Sequence, residues 1–187
     1  MRRVVSGLGV VTIGLLLPLL AHAGMARITR AGTADVSFTA VGPAGLKIVG
    51  RSGELRLNDG GDRLIVSVPL KTVATGITLR DEHMRNKYLH VDRYPDAVLE
   101  VARAAVKLPA AGGEVSGEAS GTMRLHGRDK LVSFRYTARS DGKVVRVTAT
   151  TRIDMRDHGI EQPRYLGLTV KPEVEVHAVF AIAVVEA

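Results

Sequence analysis

The chain has no cysteine and no tryptophan, and its aromatic side chains amount to three phenylalanines and four tyrosines. Each shortage removes a class of explanation. Without thiols there is no disulfide framework, cysteine-ligated zinc, thiol redox centre or lipidated cysteine, so stability has to come from burial and sheet closure. Sequence-tolerant binding of single-stranded nucleic acid needs aromatic platforms beside basic groups, and few are available here, so no nucleic acid is expected as a partner. Internal repeats of fixed period and low-complexity tracts are also missing. That argues against a solenoid or a tethered tail.

What is present begins with an export pattern. Arg2 and Arg3 form a charged start, Val10 to Leu20 an apolar run, and Ala21-His22-Ala23 a small-x-small cleavage site, the arrangement of a secretory signal. The run is shorter than the ~20 residues of a membrane-spanning helix. The expectation is therefore a signal peptide over residues 1–23, removed to leave a periplasmic or secreted protein with one domain over residues 24–187. The whole chain carries a net charge of +7, and losing Arg2 and Arg3 still leaves it basic. A basic exported surface is either simply solvated or turned toward anionic lipid headgroups.

Period-two alternation is the dominant signal downstream. Val36 and Phe38, Leu55 and Leu57, and Leu64, Val66, Val68 and Leu70 each line one face opposite polar neighbours. The pattern returns in Leu99 and Val101, in Met123 and Leu125, and in Val132, Phe134, Tyr136 and Ala138. Val145, Val147 and Ala149 continue it, followed by Val174, Val176, Ala178 and Phe180. These are half-buried strands, separated by turn chemistry at Asn58-Asp59-Gly60-Gly61, Ala111-Gly112-Gly113, Gly127-Arg128-Asp129 and Ser140-Asp141-Gly142. About eight antiparallel strands of this kind form a meander, and closure into a barrel would remove its edges. The inward positions are mostly Val, Leu, Ile and Ala. Both a packed core and a lined cavity present such aliphatic faces, and an eight-stranded barrel is wide enough to hold one ligand; the scarcity of bulky aromatics tilts the choice slightly toward an elongated apolar tunnel.

One segment breaks the alternation. In Thr78 to Val101, Thr78 is placed to cap a short helix with Asp81 three residues on, Met84 and Tyr88 share a face, and Tyr94-Pro95 ends any helix. A short amphipathic insert at the rim of the β structure is the expected result.

The same segment carries a family resemblance. Arg80-Asp81, His83-Met84, Tyr88-Leu89 and Tyr94-Pro95 are similar to the R-D-x-H-[LM] … F-F … y-P signature of the YceI-like family. Phe38, Ile48 and Gly50 resemble its F … V-x-G spacing, and Thr75-Gly76 its preceding T-G. Gly117 with Gly121 to Gly127 resembles G-x-L-x-i-H-G, while Ile153-Asp154, Asp157 and Gly159-Ile160 resemble i-D-R-x-d-F-G-i. The resemblance covers residues 33 to 182. It implies an all-β, antiparallel, eight-stranded lipocalin-like β-barrel that binds a polyisoprenoid or another long-chain lipid in the periplasm. Three positions depart from the pattern: Gly42 stands where the family has His, Met155 where it has Arg, and His158 where it has Phe.

Candidate chemistry is sparse. His83 and His90 lie seven apart with no tight ligand cluster around them, so no metal is expected. Ser52 and Ser120 each precede Gly but form no G-x-S-x-G elbow, and Asp154 and Asp157 more simply shape a strand end than act as an acid–base pair. No catalytic residue and no cofactor is expected. The residues best placed to touch an apolar ligand are Met84, Tyr88, Leu89, Tyr94, Phe134, Tyr136 and Tyr165, with Arg80 available to an anionic head. Binding and carriage of a long apolar ligand without catalysis is the leading expectation. The competing one is a structural or stress-response interaction protein with a filled barrel that acts at an anionic membrane surface. A homodimer is left open in both cases, and a cavity inside the barrel separates the two.

Overall fold

Apolar–polar alternation becomes extended backbone along most of the chain. The computed structural model describes residues 26–165 and 168–185, Tyr165 by its backbone alone; the expected signal peptide lies outside the described residues. Among the described residues are eleven strands: β1 (Arg27–Val41), β2 (Lys47–Ser52), β3 (Arg56–Asp59), β4 (Arg63–Pro69), β5 (Asp96–Ala102), β6 (Glu114–Leu125), β7 (Arg128–Ser140), β8 (Val145–Asp154), β9 (Arg164–Tyr165), β10 (Leu168–Thr169) and β11 (Glu173–Val185). Nine form one antiparallel sheet in the order β2-β1-β11-β8-β7-β6-β5-β4-β3, while β9 and β10 make a separate small hairpin. From β3 to β8 consecutive strands are neighbours, which is the expected meander.

The expected closed eight-stranded barrel is not what forms. The sheet has nine strands and is open but strongly curled, with β2 and β3 as its two edges and no ladder between them. The reason lies in the chain path. β2 ladders onto β1 and β3 onto β4, so the peptide crosses the gap at residues 53–55 and uses its two halves as opposite edges. Side chains hold the gap instead. Asp59, buried at the end of β3, accepts from the Ile28 amide of β1 at 2.6 Å and from the Gly61 amide at 2.9 Å, and it pairs with Arg103. Arg103 donates in turn to the Ala26 carbonyl at 3.0 Å. A buried carboxylate thus satisfies an edge amide that a closing strand would otherwise have taken.

Two apolar clusters line the concave side. One gathers Ile28, Leu64, Val101, Ala119, Phe134, Tyr136, Ala138, Val145 and Ile182 around the Asp59 end. The other gathers Ala40, Leu70, Val73, Met123, Leu125, Val132, Met155, Ile160 and Val174, at the end covered by the insert. The three departures from the family pattern fit this frame. Met155 and His158 are buried, with His158 Nδ1 3.2 Å from the Arg128 carbonyl, and Gly42 opens a single tight turn over Pro43–Gly45.

Close packing explains several glycines. A Cβ on Gly50 would collide with the Phe38 ring directly opposite, and one on Gly121 would lie 2.6 Å from the Glu100 carbonyl oxygen. The β6–β7 hairpin turns on His126 (φ 51) and Gly127 (φ 74), a two-residue turn with both central residues left-handed. The turn therefore sits one residue earlier than Gly127-Arg128-Asp129, and Arg128 and Asp129 already belong to β7.

Candidate functional site: the cavity of the curled sheet

The concave face encloses a cavity of about 1010 Å³ with an overwhelmingly apolar lining. Its size follows from side-chain choice. Among the inward residues that line it are Ala40, Ala97, Ala138, Ala149, Ala178 and Gly50, and small residues on a curved wall leave a volume that bulky aromatics would have filled. It stands at the upper end of the ~300–1,000 Å³ usual for small-molecule sites. A filled interior is therefore ruled out, and with it the filled-barrel form of the competing expectation.

The insert roofs one end. It is a five-residue α-helix, α1 (Thr78–Glu82), continued by a π-helical turn over His83–Tyr88. The amide of Leu89 donates to the Met84 carbonyl at 2.9 Å, the i→i+5 bond of that turn. Thr78 does not cap the helix: the N-cap is Ile77, which has no side-chain cap. Asp81 reaches backward to do related work, accepting from the Thr75 amide at 2.7 Å and from the Thr75 hydroxyl. Burial opposes ionisation of Asp81. The two Thr75 hydrogen bonds and the positive charges of Arg85 and Arg80 nevertheless hold its carboxyl below the usual carboxylate value.

Of the eight residues expected at the site, six line the cavity: Arg80, Met84, Tyr88, Leu89, Phe134 and Tyr136. Met84, Tyr88 and Leu89 come from the insert and pack on the second apolar cluster. Phe134 and Tyr136, with ring centroids 6.2 Å apart, belong to the first. The Tyr136 hydroxyl accepts from the Lys107 amide at 2.8 Å, so its polar tip is satisfied while its ring faces the cavity. Arg80 lines the cavity and also staples the insert down, its Nε 2.7 Å from the Thr75 hydroxyl and its Nη2 2.9 Å from the Thr75 carbonyl. Arg85 acts similarly through the Val73 carbonyl at 2.8 Å.

The other two stand apart. Tyr94 is not among the residues lining the cavity; it packs edge-on against His126 with centroids 4.8 Å apart, with the Arg93 guanidinium over its ring. The backbone of Tyr165 lies in β9 beside Pro163 and Arg164, which do line the cavity, and its side chain lies outside the described residues.

His83 and His90 do not come together. His83 lines the mouth, whereas His90 Nδ1 lies 3.0 Å from His126 Nε2 on the β6–β7 hairpin. Sequence reasoning placed the insert at the mouth but missed the mouth's exposed apolar residues. Leu46, Ile77, Leu79 and Leu168 are cavity-lining yet exposed, and the available signal was an apolar residue inside each of three loop-like segments.

The model of the YceI-like domain matches residues 25–182. The chain belongs to the YceI-like family. Among curated proteins it is similar to the UPF0312 protein of Pseudomonas putida strain W619, 31% identical over 123 residues, which are 61% of this chain and 62% of that protein. The counterpart in strain GB-1 is 30% identical over the same extent. The chain thus spans less than two thirds of the length of the curated relatives it matches. Among solved structures, a polyisoprenoid binding domain from Saccharophagus degradans implicated in plant cell wall breakdown superposes with a TM-score of 0.70 at 17% identity, covering 84% of this chain and 98% of that one. BcnA of Burkholderia cenocepacia gives 0.64 at 14% identity, over 80% and 96%. These likenesses establish a shared fold.

Proposed function

We propose that this YceI-like protein acts in the periplasm as a non-catalytic binding protein that sequesters or carries a long apolar molecule of the polyisoprenoid or fatty-acyl type. The observation that carries the reading is the cavity of about 1010 Å³ with its apolar lining. Burial supplies the affinity: about ten methylenes at ~0.8 kcal/mol each contribute roughly 8 kcal/mol before ordering costs, so few polar contacts are needed. Met84, Tyr88, Leu89, Phe134 and Tyr136 form ligand contacts along the wall. In this reading Arg80, at the edge of the insert, faces the polar end of the ligand, and Tyr165 is a further contact residue. The polyisoprenoid binding domain of the same fold supports the choice of ligand class. Tyr94, packed on His126 of the β6–β7 hairpin, stands outside the lining.

Extraction of the purified mature protein followed by lipid mass spectrometry tests the proposal. A stoichiometric long-chain molecule is expected, and Ala149→Phe, which fills the cavity from β8, should lose it. A protein that yields no such molecule, and takes up none when offered isoprenoid or fatty-acyl lipids, would overturn the reading.

A further inference from the structure

The mouth of the cavity has the opposite character to an ordinary protein surface. Leu46 (61% exposed), Ile77 (53%), Leu79 (62%) and Leu168 (55%) come from three segments distant in sequence: the turn between β1 and β2, the start of the insert, and the β9–β10 hairpin. All four line the cavity opening, together with Pro43 and Pro163. The segments are tied into one end of the molecule. The Lys171 amide donates to the Val41 carbonyl at 2.8 Å, and Arg51 and Ala74 exchange backbone hydrogen bonds of 2.8 and 2.9 Å. Soluble surfaces seldom gather large apolar side chains this way unless something covers them.

Charge indicates what covers them. Lys47 follows Leu46 directly, Arg164 and Lys171 flank Leu168, and Lys87 projects from the insert; all four are exposed. Glu82 and Glu161 are exposed in the same segments and Glu173 is exposed two residues past Lys171, so the four cations outnumber the three acids. Apolar side chains surrounded by lysine and arginine match the layered chemistry of a bilayer surface, with acyl chains beneath anionic phosphates.

We infer that the cavity mouth docks on an anionic phospholipid bilayer, with Leu46, Ile77, Leu79 and Leu168 entering the acyl boundary and Lys47, Lys87, Arg164 and Lys171 holding headgroup phosphates. The inference rests on the binding reading above and adds the partner from which the ligand is exchanged. In this pose the cavity opens directly into the hydrocarbon layer, so an apolar ligand passes between membrane and protein without crossing water.

Cosedimentation of the mature protein with vesicles tests the docking, using phosphatidylcholine alone and phosphatidylcholine mixed with phosphatidylglycerol. The wild type should pellet with the mixed vesicles and be released as salt screens the charges. The variant L46S/L79S/L168S should bind them about tenfold less, with circular dichroism unchanged because the replaced side chains are exposed. Equal binding by wild type and variant, or no binding of the wild type to mixed vesicles, would overturn the inference. Lipid extraction of the same preparations separates the two proposals. A variant that leaves the vesicles supports docking at the mouth whether or not it keeps its bound molecule, and a wild type empty of ligand that still binds through the three leucines supports docking while ending the carrier reading.

Discussion

The two ends of the curled sheet solve the same problem differently. At the Asp59 end, the open seam between β1 and β3 is held by a buried carboxylate that satisfies two amides and an arginine, over a cluster containing Phe134 and Tyr136. At the insert end the buried carboxylate is Asp81, and it ties the insert only to Thr75 of the preceding loop rather than one strand to another. Short irregular elements lie over the opening, staples from Arg80 and Arg85 reach only backbone and hydroxyl oxygens, and large apolar side chains stay exposed. One end is built to stay shut and the other to admit, and the asymmetry gives an open sheet a direction.

Breaking the tight end should have the largest effect. Asp59→Ala removes the partner of the Ile28 and Gly61 amides and leaves Arg103 uncompensated, so stability should fall by about 3 kcal/mol in urea denaturation. Acid should act on the same group. Burial opposes ionisation of Asp59, but the Ile28 and Gly61 amides and Arg103 together hold its carboxyl below the usual carboxylate value. Its contribution is therefore complete above the unfolded carboxylate range and lost as pH falls through the folded value. In Asp59→Ala that part of the acid transition should disappear.

At the other end, Gly50→Ala drives a methyl group into the Phe38 ring. The expected loss is about 2 kcal/mol, and Phe38, which lines the cavity, should be pushed inward so that less lipid is recovered on extraction. Tyr136→Phe is milder. It strips the acceptor from the Lys107 amide and should lower stability by about 1 kcal/mol while leaving the ring and the bound lipid in place, which would show that the tight end acts through its polar bonds.

Much of this contrast was legible in the sequence, and unevenly. Every inward face read from alternation, from Phe38 to Phe180, points into the cavity or its clusters, because period-two burial is a local signal. The glycines of the family pattern also had local partners: Gly50 lies under Phe38 and Gly117 under Tyr136. Closure was not local. Whether the last strand meets the first depends on where β2 and β3 divide, and three residues at 53–55 carry that decision. Thr78 looked like a cap because Asp81 follows it at the right spacing, but the loop folds so that Thr75 meets Asp81 instead. Leu46 and Leu168 gave no sign of sharing a mouth, since it takes a long-range contact such as the Val41–Lys171 hydrogen bond to bring their loops together.

The smallest expected effect tests whether the open end is adjustable. His126 and His90 join the hairpin to the segment after the insert through a single ring-to-ring hydrogen bond of 3.0 Å, which needs one nitrogen to accept. Burial pushes the His126 imidazole below its ordinary value. The His158 carbonyl pulls the other way, and the charges of His90, Arg128 and Arg93 push further down. The folded state thus takes up a proton less readily than the unfolded chain, so this contribution is whole above the ordinary imidazole value and declines as pH falls from there toward the lowered one. Between about pH 7 and 5 the loss should stay under about 1 kcal/mol, since the pair is partly solvated. Hydrogen exchange should place it in residues 83–94 rather than in β6 or β7. His126→Asn, which tolerates the left-handed backbone of the turn, should abolish the pH dependence. If the protection factors across the insert, which remove the intrinsic pH dependence of exchange, instead stay level with pH in the wild type, the two ends differ in packing alone and the mouth is not held by a titrating bond.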